Sequence, residues 1–314
     1  MNVDTLYNIF ESNIDSVITA ENLAIIATRN FNTSEVSFVN RVLIMMQNKY
    51  ATSFRSEQAW AVIGRKLKCK CSPIWIADNI VNVKYFDVDT DEEIKDLDLS
   101  SDEISQAVRL GTIRREADTS GLRAIPIYSI KDTETFDADA YQDFCDEHSK
   151  SIKVSSLLSI AYREYGIKCI GGSKSTFDKA NNTLFIGKDS YEDKISAAVL
   201  AIAYTVYGDA LIDDESDEVI HNIGKVLLAQ SVISYYSHGK SVDEEEFSSL
   251  IDSIPCNTSS EHIVDILSVY YELAGNIISL IDPCNTSLDD SKLKKASELL
   301  DILEANDAYQ QIRG

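Results

Sequence analysis

The segment that most constrains the fold runs from Tyr191 to Tyr207. Ile195, Ala198, Ala201, Ile202 and Val206 recur there at helical spacing, and Gly208 follows as a stop. A helix so apolar must be wrapped by other elements, and the surrounding sequence supplies them. Helical periodicity predicts further helices over Val154–Tyr165 and about 216–237, 259–281 and 288–305. The last has Ser287 as N-cap and Leu293, Ala296, Leu300 and Leu303 as its inner stripe. Two short strands, Lys168–Ile170 and Thr183–Ile186, flank a turn at Ala180-Asn181-Asn182. The second half is therefore expected to be mostly helical with a small sheet.

The first half reads differently. Ser34 to Asn48 predicts a helix with Ser34 as N-cap and a stripe of Val36, Val39, Leu43 and Met46. Asn40 and Gln47, seven residues apart, project together from the edge of that stripe. A short helix from Ser56 to Ile63 carries Trp60 and ends at Gly64. Arg65-Lys66-Leu67-Lys68-Cys69-Lys70-Cys71 then alternates basic and apolar residues, the pattern of a strand with lysines on one face. Pro73 interrupts it, and extended structure resumes at Ile74-Trp75-Ile76 and again at Ile125–Ile130.

Between those strands the tract from Asp87 to Glu103 is strongly acidic and too poor in apolar residues for a core element, so a surface insertion is expected at about 87–103. The stretch after Thr133 is polar enough to join two domains, with a boundary near residue 145. The expected class is α+β, with an α/β domain over 1–145 and a mostly helical one over 146–314.

The chain carries a net charge of −22, with about +1 in residues 1–80, about −10 in 81–150 and about −13 in the rest. Such a field opposes indiscriminate binding to nucleic acid or anionic lipid. No apolar run reaches the roughly 20 residues of a membrane span, and the first residues are acidic where a leader is basic, so a cytoplasmic protein with no membrane role is expected. The six cysteines form neither a disulfide framework nor paired CxxC motifs, and reduced, mostly buried thiols are expected.

Catalytic signals are sparse. His148, His221, His238 and His262 have no HxxxH or HxH spacing among them. Neither a phosphate-binding GxxxxGK[ST] loop nor a GxSxG elbow occurs, and Gly171-Gly172 leads into a hairpin. Asp213-Asp214 and Glu244-Glu245-Glu246 read as solvated charge runs. No metal or other cofactor is expected. The positive signal is the run of Lys66, Lys68 and Lys70, spaced along one strand face to follow successive phosphates, with Trp60 or Trp75 near enough to stack a base. The alternative is a solvated sheet face with both tryptophans in the core.

Ser37, Asn40, Leu43, Ile44, Gln47, Ala51, Thr52, Trp60, Gly64-Arg65-Lys66 and Lys68, in this order, resemble the N-terminal domain of ArdC-type antirestriction proteins. Tyr128 to Glu134 is similar to that domain's closing element. Leu157–Gly166, Asn182–Ile186 and Glu192–Gly208 are similar to successive elements of the family's zincin-like metallopeptidase domain, so the resemblance spans about residues 30–240. It implies a domain that binds single-stranded DNA, followed by a peptidase-like domain. Two departures matter. The zinc motif HExxH is replaced by Leu200, Ala201 and Tyr204, with Gln230 where a glutamate would complete the site, and no histidine lies between His148 and His221. Leucine and alanine can neither ligate zinc nor act as general base. The family's turn after Lys68 is replaced by Cys69-Lys70-Cys71-Ser72-Pro73.

Together these features lead to the expectation of a non-catalytic, antirestriction-like protein of a phage or mobile element in a bacterial host, touching single-stranded DNA through Arg65, Lys66, Lys68 and Lys70 and through Trp60 or Trp75. Asn40 and Gln47 either touch the strand or order the loop that presents it. The alternative is an acidic protein-interaction module on a zincin-like scaffold. A third reading is another chemistry in the old cleft through Tyr204 or Gln230.

Overall fold

The computed structural model describes residues 1–29, 36–49, 53–88, 90–94, 106–108, 112–142, 154–208, 217–237 and 244–281, together with 110, 212 and 214. The expected α+β class is the observed one: helices and small sheets are both formed among these residues. The predicted helix at 288–305 lies outside them.

Three helices open the chain: α1 (Val3–Asn13), α2 (Ala20–Arg29) and α3 (Phe38–Gln47). The N-cap of α3 is Ser37, whose hydroxyl accepts from the Asn40 N–H, and not Ser34, which lies outside the described residues. After strand β1 (Phe54–Arg55), helix α4 (Glu57–Val62) is capped by Ser56, as its sequence predicts. The chain leaves α4 through Gly64 at φ +75°, where a Cβ would stand 2.2 Å from the Asp137 carbonyl oxygen, so only glycine fits.

Strand β2 (Arg65–Leu67) pairs antiparallel with β5 (Thr133–Thr135). The predicted strand continuing to Cys71 stops at Leu67 because its partner runs out: the preceding residues Ile130–Asp132 form a 3-10 turn, and the last bond is Lys68 N–H to the Asp132 carbonyl at 2.9 Å. The chain bends at Cys69 and Lys70.

The long strands β3 (Ile74–Asp87) and β4 (Ile113–Ser129) form an antiparallel ribbon that reaches the start of the acidic tract. A bulge between Ile80 and Val81 leaves Ser120 as the extra residue on β4, facing no partner on β3. At its base β4 also pairs with β1. Ile44, Phe54, Ile74, Ile76 and Ile127 bury a small core there, between α3 and the inner face of the ribbon.

Helix α5 (Val154–Arg163) leads to a three-stranded sheet in which β6 (Lys168–Gly171) runs parallel and β7 (Thr176–Asp178) antiparallel to the central β8 (Thr183–Ile186). The predicted buried helix appears as α6 (Tyr191–Tyr207), capped by Ser190 and ended at Gly208. Helices α7 (Glu218–Tyr236), α8 (Glu245–Ile251) and α9 (Ser260–Ile281) complete the order.

Helices α7 and α9 lie against each other along their lengths and serve two apolar clusters. Their first halves, through Ile220, Ile223, Leu227, Val264, Leu267 and Tyr271, pack with Leu23, Phe38 and Val42 of the N-terminal helices. Their second halves, through Val232, Tyr235, Ala274 and Ile278, pack with Leu157, Leu184 and the buried face of α6. Tyr270 of α9 packs directly over Gly224 of α7, where a Cβ would meet its ring at 2.2 Å.

Helix α9 corrects one expectation: at 22 residues it is long and apolar enough, by length and composition, to cross a membrane. In this fold 56% of its most apolar 18-residue window is buried against protein, and its Tyr270 and Tyr271 are core residues.

Candidate nucleic-acid interface

Asn40 and Gln47 face the outer edge of β3. The Asn40 Nδ2 donates to the Ala77 carbonyl at 2.7 Å and its Oδ1 accepts from the Ala77 N–H at 2.9 Å. Gln47 repeats this pairing at Trp75, donating to its carbonyl at 2.7 Å and accepting from its N–H at 2.9 Å. Two helix side chains thus stand where another strand would pair. The geometry also explains Pro126 in the middle of β4. Because Trp75 turns its backbone groups out to Gln47, its partner Pro126 needs no N–H toward β3. Of the two roles open to these amides, ordering the strand is the one their contacts fill.

Trp60 is a core residue, 1% exposed, and its indole N–H donates to the Tyr128 carbonyl at 2.8 Å. Its ring offers no face on which a base could stack, which corrects that expectation. Trp75 is only half-buried, and it alternates with the inward Ile74 and Ile76. It therefore lies on the ribbon face opposite the small core.

The basic run divides into two kinds of residue. Arg65 straps β2 to β5: its Nε donates to the Thr133 hydroxyl at 2.7 Å, Nη1 to the Thr135 hydroxyl at 2.9 Å and Nη2 to the Thr133 carbonyl at 3.1 Å, while its guanidinium lies 4.7 Å from the Tyr141 ring centroid. Lys66 faces Glu134 across the ladder, with Nζ 3.6 Å from a carboxylate oxygen. Lys68 and Lys70 lie beyond the strand and are exposed. Lys68 donates through Nζ to the Lys131 carbonyl at 2.6 Å, which brings a third exposed lysine, Lys131, to the same place. The sequence did not single out Lys131, 63 positions away. Its signal was the Thr-Glu-Thr segment able to pair with β2.

Cys69 is exposed and Cys71 partly so, and Cys256 is exposed and Cys169 half-buried, so the expected burial of the thiols does not hold for these four free cysteines. A cysteine at the end of an interrupted strand has no sheet to cover it.

The four positions aligned with a zinc site sit in unlike surroundings. Ala201 is fully buried and Leu200 partly so on α6. The Tyr204 ring stacks on Phe177 at 6.1 Å between centroids, with the Lys179 Nζ 4.1 Å and the Lys225 Nζ 5.9 Å from its centre. Gln230 donates to the Glu246 carboxylate of α8. Tyr204 and Gln230 thus have different partners, Phe177 and two lysines for the one and Glu246 for the other. Among the described residues no group of three or more His, Cys, Asp or Glu side chains is placed to hold a metal ion.

His221 is a satisfied core residue, 3% exposed, with Nδ1 2.9 Å from the Tyr270 hydroxyl. Burial pushes its pKa below the usual histidine value, against the opposing pull of Asp214 and Asp217. The His262 Nε2 lies 3.0 Å from an Asp217 carboxylate oxygen. His148 and His238 lie outside the described residues.

No protein-family model matches the chain, and no curated protein matches it. Among solved structures, it is similar to the metal-free crystal structure of the antirestriction protein ArdC from the R388 plasmid, at a TM-score of 0.37 and 9% identity, over 77% of this chain and 84% of that one.

Proposed function

We propose that this protein binds single-stranded DNA without catalysing a reaction on it, through a small cationic surface at the β2–β3 loop. The observation that carries the reading is that Lys68, Lys70 and Lys131, all exposed, lie on neighbouring stretches of chain joined by the bond from the Lys68 Nζ to the Lys131 carbonyl, in a chain of net charge −22. A basic patch against such a background concentrates attraction on one place. Trp75, on the outer face of β3 just beyond the loop, is the side chain suited to stack a base. Asn40 and Gln47 serve by holding the β3 edge, Arg65 by holding β2 to β5, and Lys66 adds charge beside Glu134. The resemblance of residues 37–68 to the ArdC-type N-terminal domain favours the same reading. It extends to an antirestriction role for a phage or mobile element in the bacterial cytoplasm, with residues 1–145 as the DNA-binding part and 146–314 as a peptidase-like part that lacks the zinc ligands.

Fluorescence anisotropy with labelled single- and double-stranded oligonucleotides across a salt series tests this. Wild type should bind the single strand with log K falling by about 2 per log unit of salt, as expected for three neutralised phosphates. Lys68→Glu/Lys70→Glu/Lys131→Glu should lose at least about tenfold in affinity. Equal binding by the triple variant, or none by wild type at low salt, would overturn the reading.

A second reading has its own support. Asp91, Glu92 and Glu93 are exposed where β3 leads into the acidic tract, so the end of the ribbon presents negative charge that a basic protein partner could recognise. Under it the triple lysine variant keeps its function, and Glu92→Gln/Glu93→Gln loses it.

A further inference from the structure

We propose that Cys69 and Cys71 form a two-thiolate site for a soft monovalent cation, Cu(I). This inference is independent of the DNA-binding reading and rests on how the β2–β3 loop is held.

Both cysteines are free, Cys69 exposed and Cys71 partly so, they stand one residue apart, and the chain bends at residues 69 and 70. Residues i and i+2 of an extended strand are about 6.6 Å apart at Cα, and a bend shortens that distance. Two metal–sulfur bonds of about 2.3 Å separate the sulfurs by about 4.6 Å when they are opposed, a span that two such side chains can reach. Both ends of the loop are anchored. On one side the Lys68 N–H and Nζ donate to the Asp132 and Lys131 carbonyls at 2.9 and 2.6 Å, and on the other Pro73 enters β3. Little chain entropy then remains to be lost when the two sulfurs close on an ion.

The donor set selects the ion. Thiolates favour soft metals. Zinc needs about four ligands, whereas among the described residues no third His, Cys, Asp or Glu completes a group with these two. A cation satisfied by two opposed sulfurs is the one this pair can saturate. Burial and the nearby Asp132 carboxylate, with Glu57 adding to them, push the Cys71 thiol up, so it is a poor free nucleophile at neutral pH. Coordination changes that balance: Cu(I) and two thiols give a bis-thiolate complex of net charge −1 and release two protons. The exposed Lys68 and Lys70, flanking Cys69 in sequence, offset the added negative charge.

The test is anaerobic titration of the full chain with Cu(I) delivered from a chromogenic chelator, in wild type, Cys69→Ser, Cys71→Ser, Cys69→Ser/Cys71→Ser and Cys256→Ser. Wild type and Cys256→Ser should each withdraw one Cu(I) per chain, with uptake falling as pH drops. Each single loop variant should bind on the order of 10²-fold to 10⁴-fold more weakly, the effect of losing a tethered second ligand. X-ray absorption on the loaded protein should find two sulfur neighbours, and thermal melts should show every variant folded. Uptake unchanged in Cys69→Ser/Cys71→Ser, or a coordination shell with other than two sulfurs, would overturn the proposal.

Discussion

The Asn40 carboxamide pairs with the Ala77 peptide in both directions, donating at 2.7 Å and accepting at 2.9 Å. A helix side chain therefore does for β3 what a neighbouring strand would do. Asn40→Ala should lower stability by about 2–4 kcal/mol, through two lost hydrogen bonds and the stranded peptide of Ala77. Asn40→Asp keeps the acceptor but sets a carboxylate against the Ala77 carbonyl, and should cost more. Urea unfolding measures both, and an Asn40→Ala midpoint equal to wild type would refute the edge-holding role.

Gly224 offers a separate check on the packing of α7 against α9. Its missing Cβ is filled by the Tyr270 ring, which His221 holds at 2.9 Å, so the ring has little freedom to retreat. Gly224→Ala should destabilise by about 1–3 kcal/mol even though alanine is the better helix former, because overpacking outweighs propensity. A thermal melt suffices to measure it.

The buried His221 predicts a pH dependence of definite sign. Its folded pKa is lowered by burial, so the unfolded chain binds the extra proton first. Stability is fully present above the unfolded value of about 6.5 and is lost as pH falls below it, until the folded value is passed. His221→Gln should be less stable at pH 8 yet show a shallower decline between pH 7 and 5. Parallel wild-type and variant curves would assign the decline to other groups.

The two tryptophans report on different places. Trp60→Phe strands the Tyr128 carbonyl that the indole now serves, and should cost about 1–3 kcal/mol. It also leaves Trp75 as the single tryptophan, whose emission, excited selectively over that of the tyrosines, should be quenched when single-stranded DNA is added. In Trp75→Phe the remaining buried Trp60 should not respond.

The sequence by itself determined the elements whose signals are local. The Ser56 cap, the stops at Gly64 and Gly208 and the apolar spacing of α6, α7 and α9 are set by neighbours a few residues away, and they appear where the sequence places them. The loss of a HExxH helix was legible too, since no histidine falls in that segment. What stayed hidden depended on distant partners. The lysine strand stops at Leu67 because β5 offers only three residues to pair with it, and alternation alone carries no trace of a partner's length. Asn40 and Gln47 could be placed on one edge of a helix but not assigned to Ala77 and Trp75, because an amide pairs equally well with a base or a peptide. Only the tertiary structure decided that Trp60 is core, that Lys131 joins Lys68, and that the N-terminal helices share a core with α7 and α9. Burial and long-range pairing are properties of the assembled chain, and no local pattern encodes which of several apolar faces will meet.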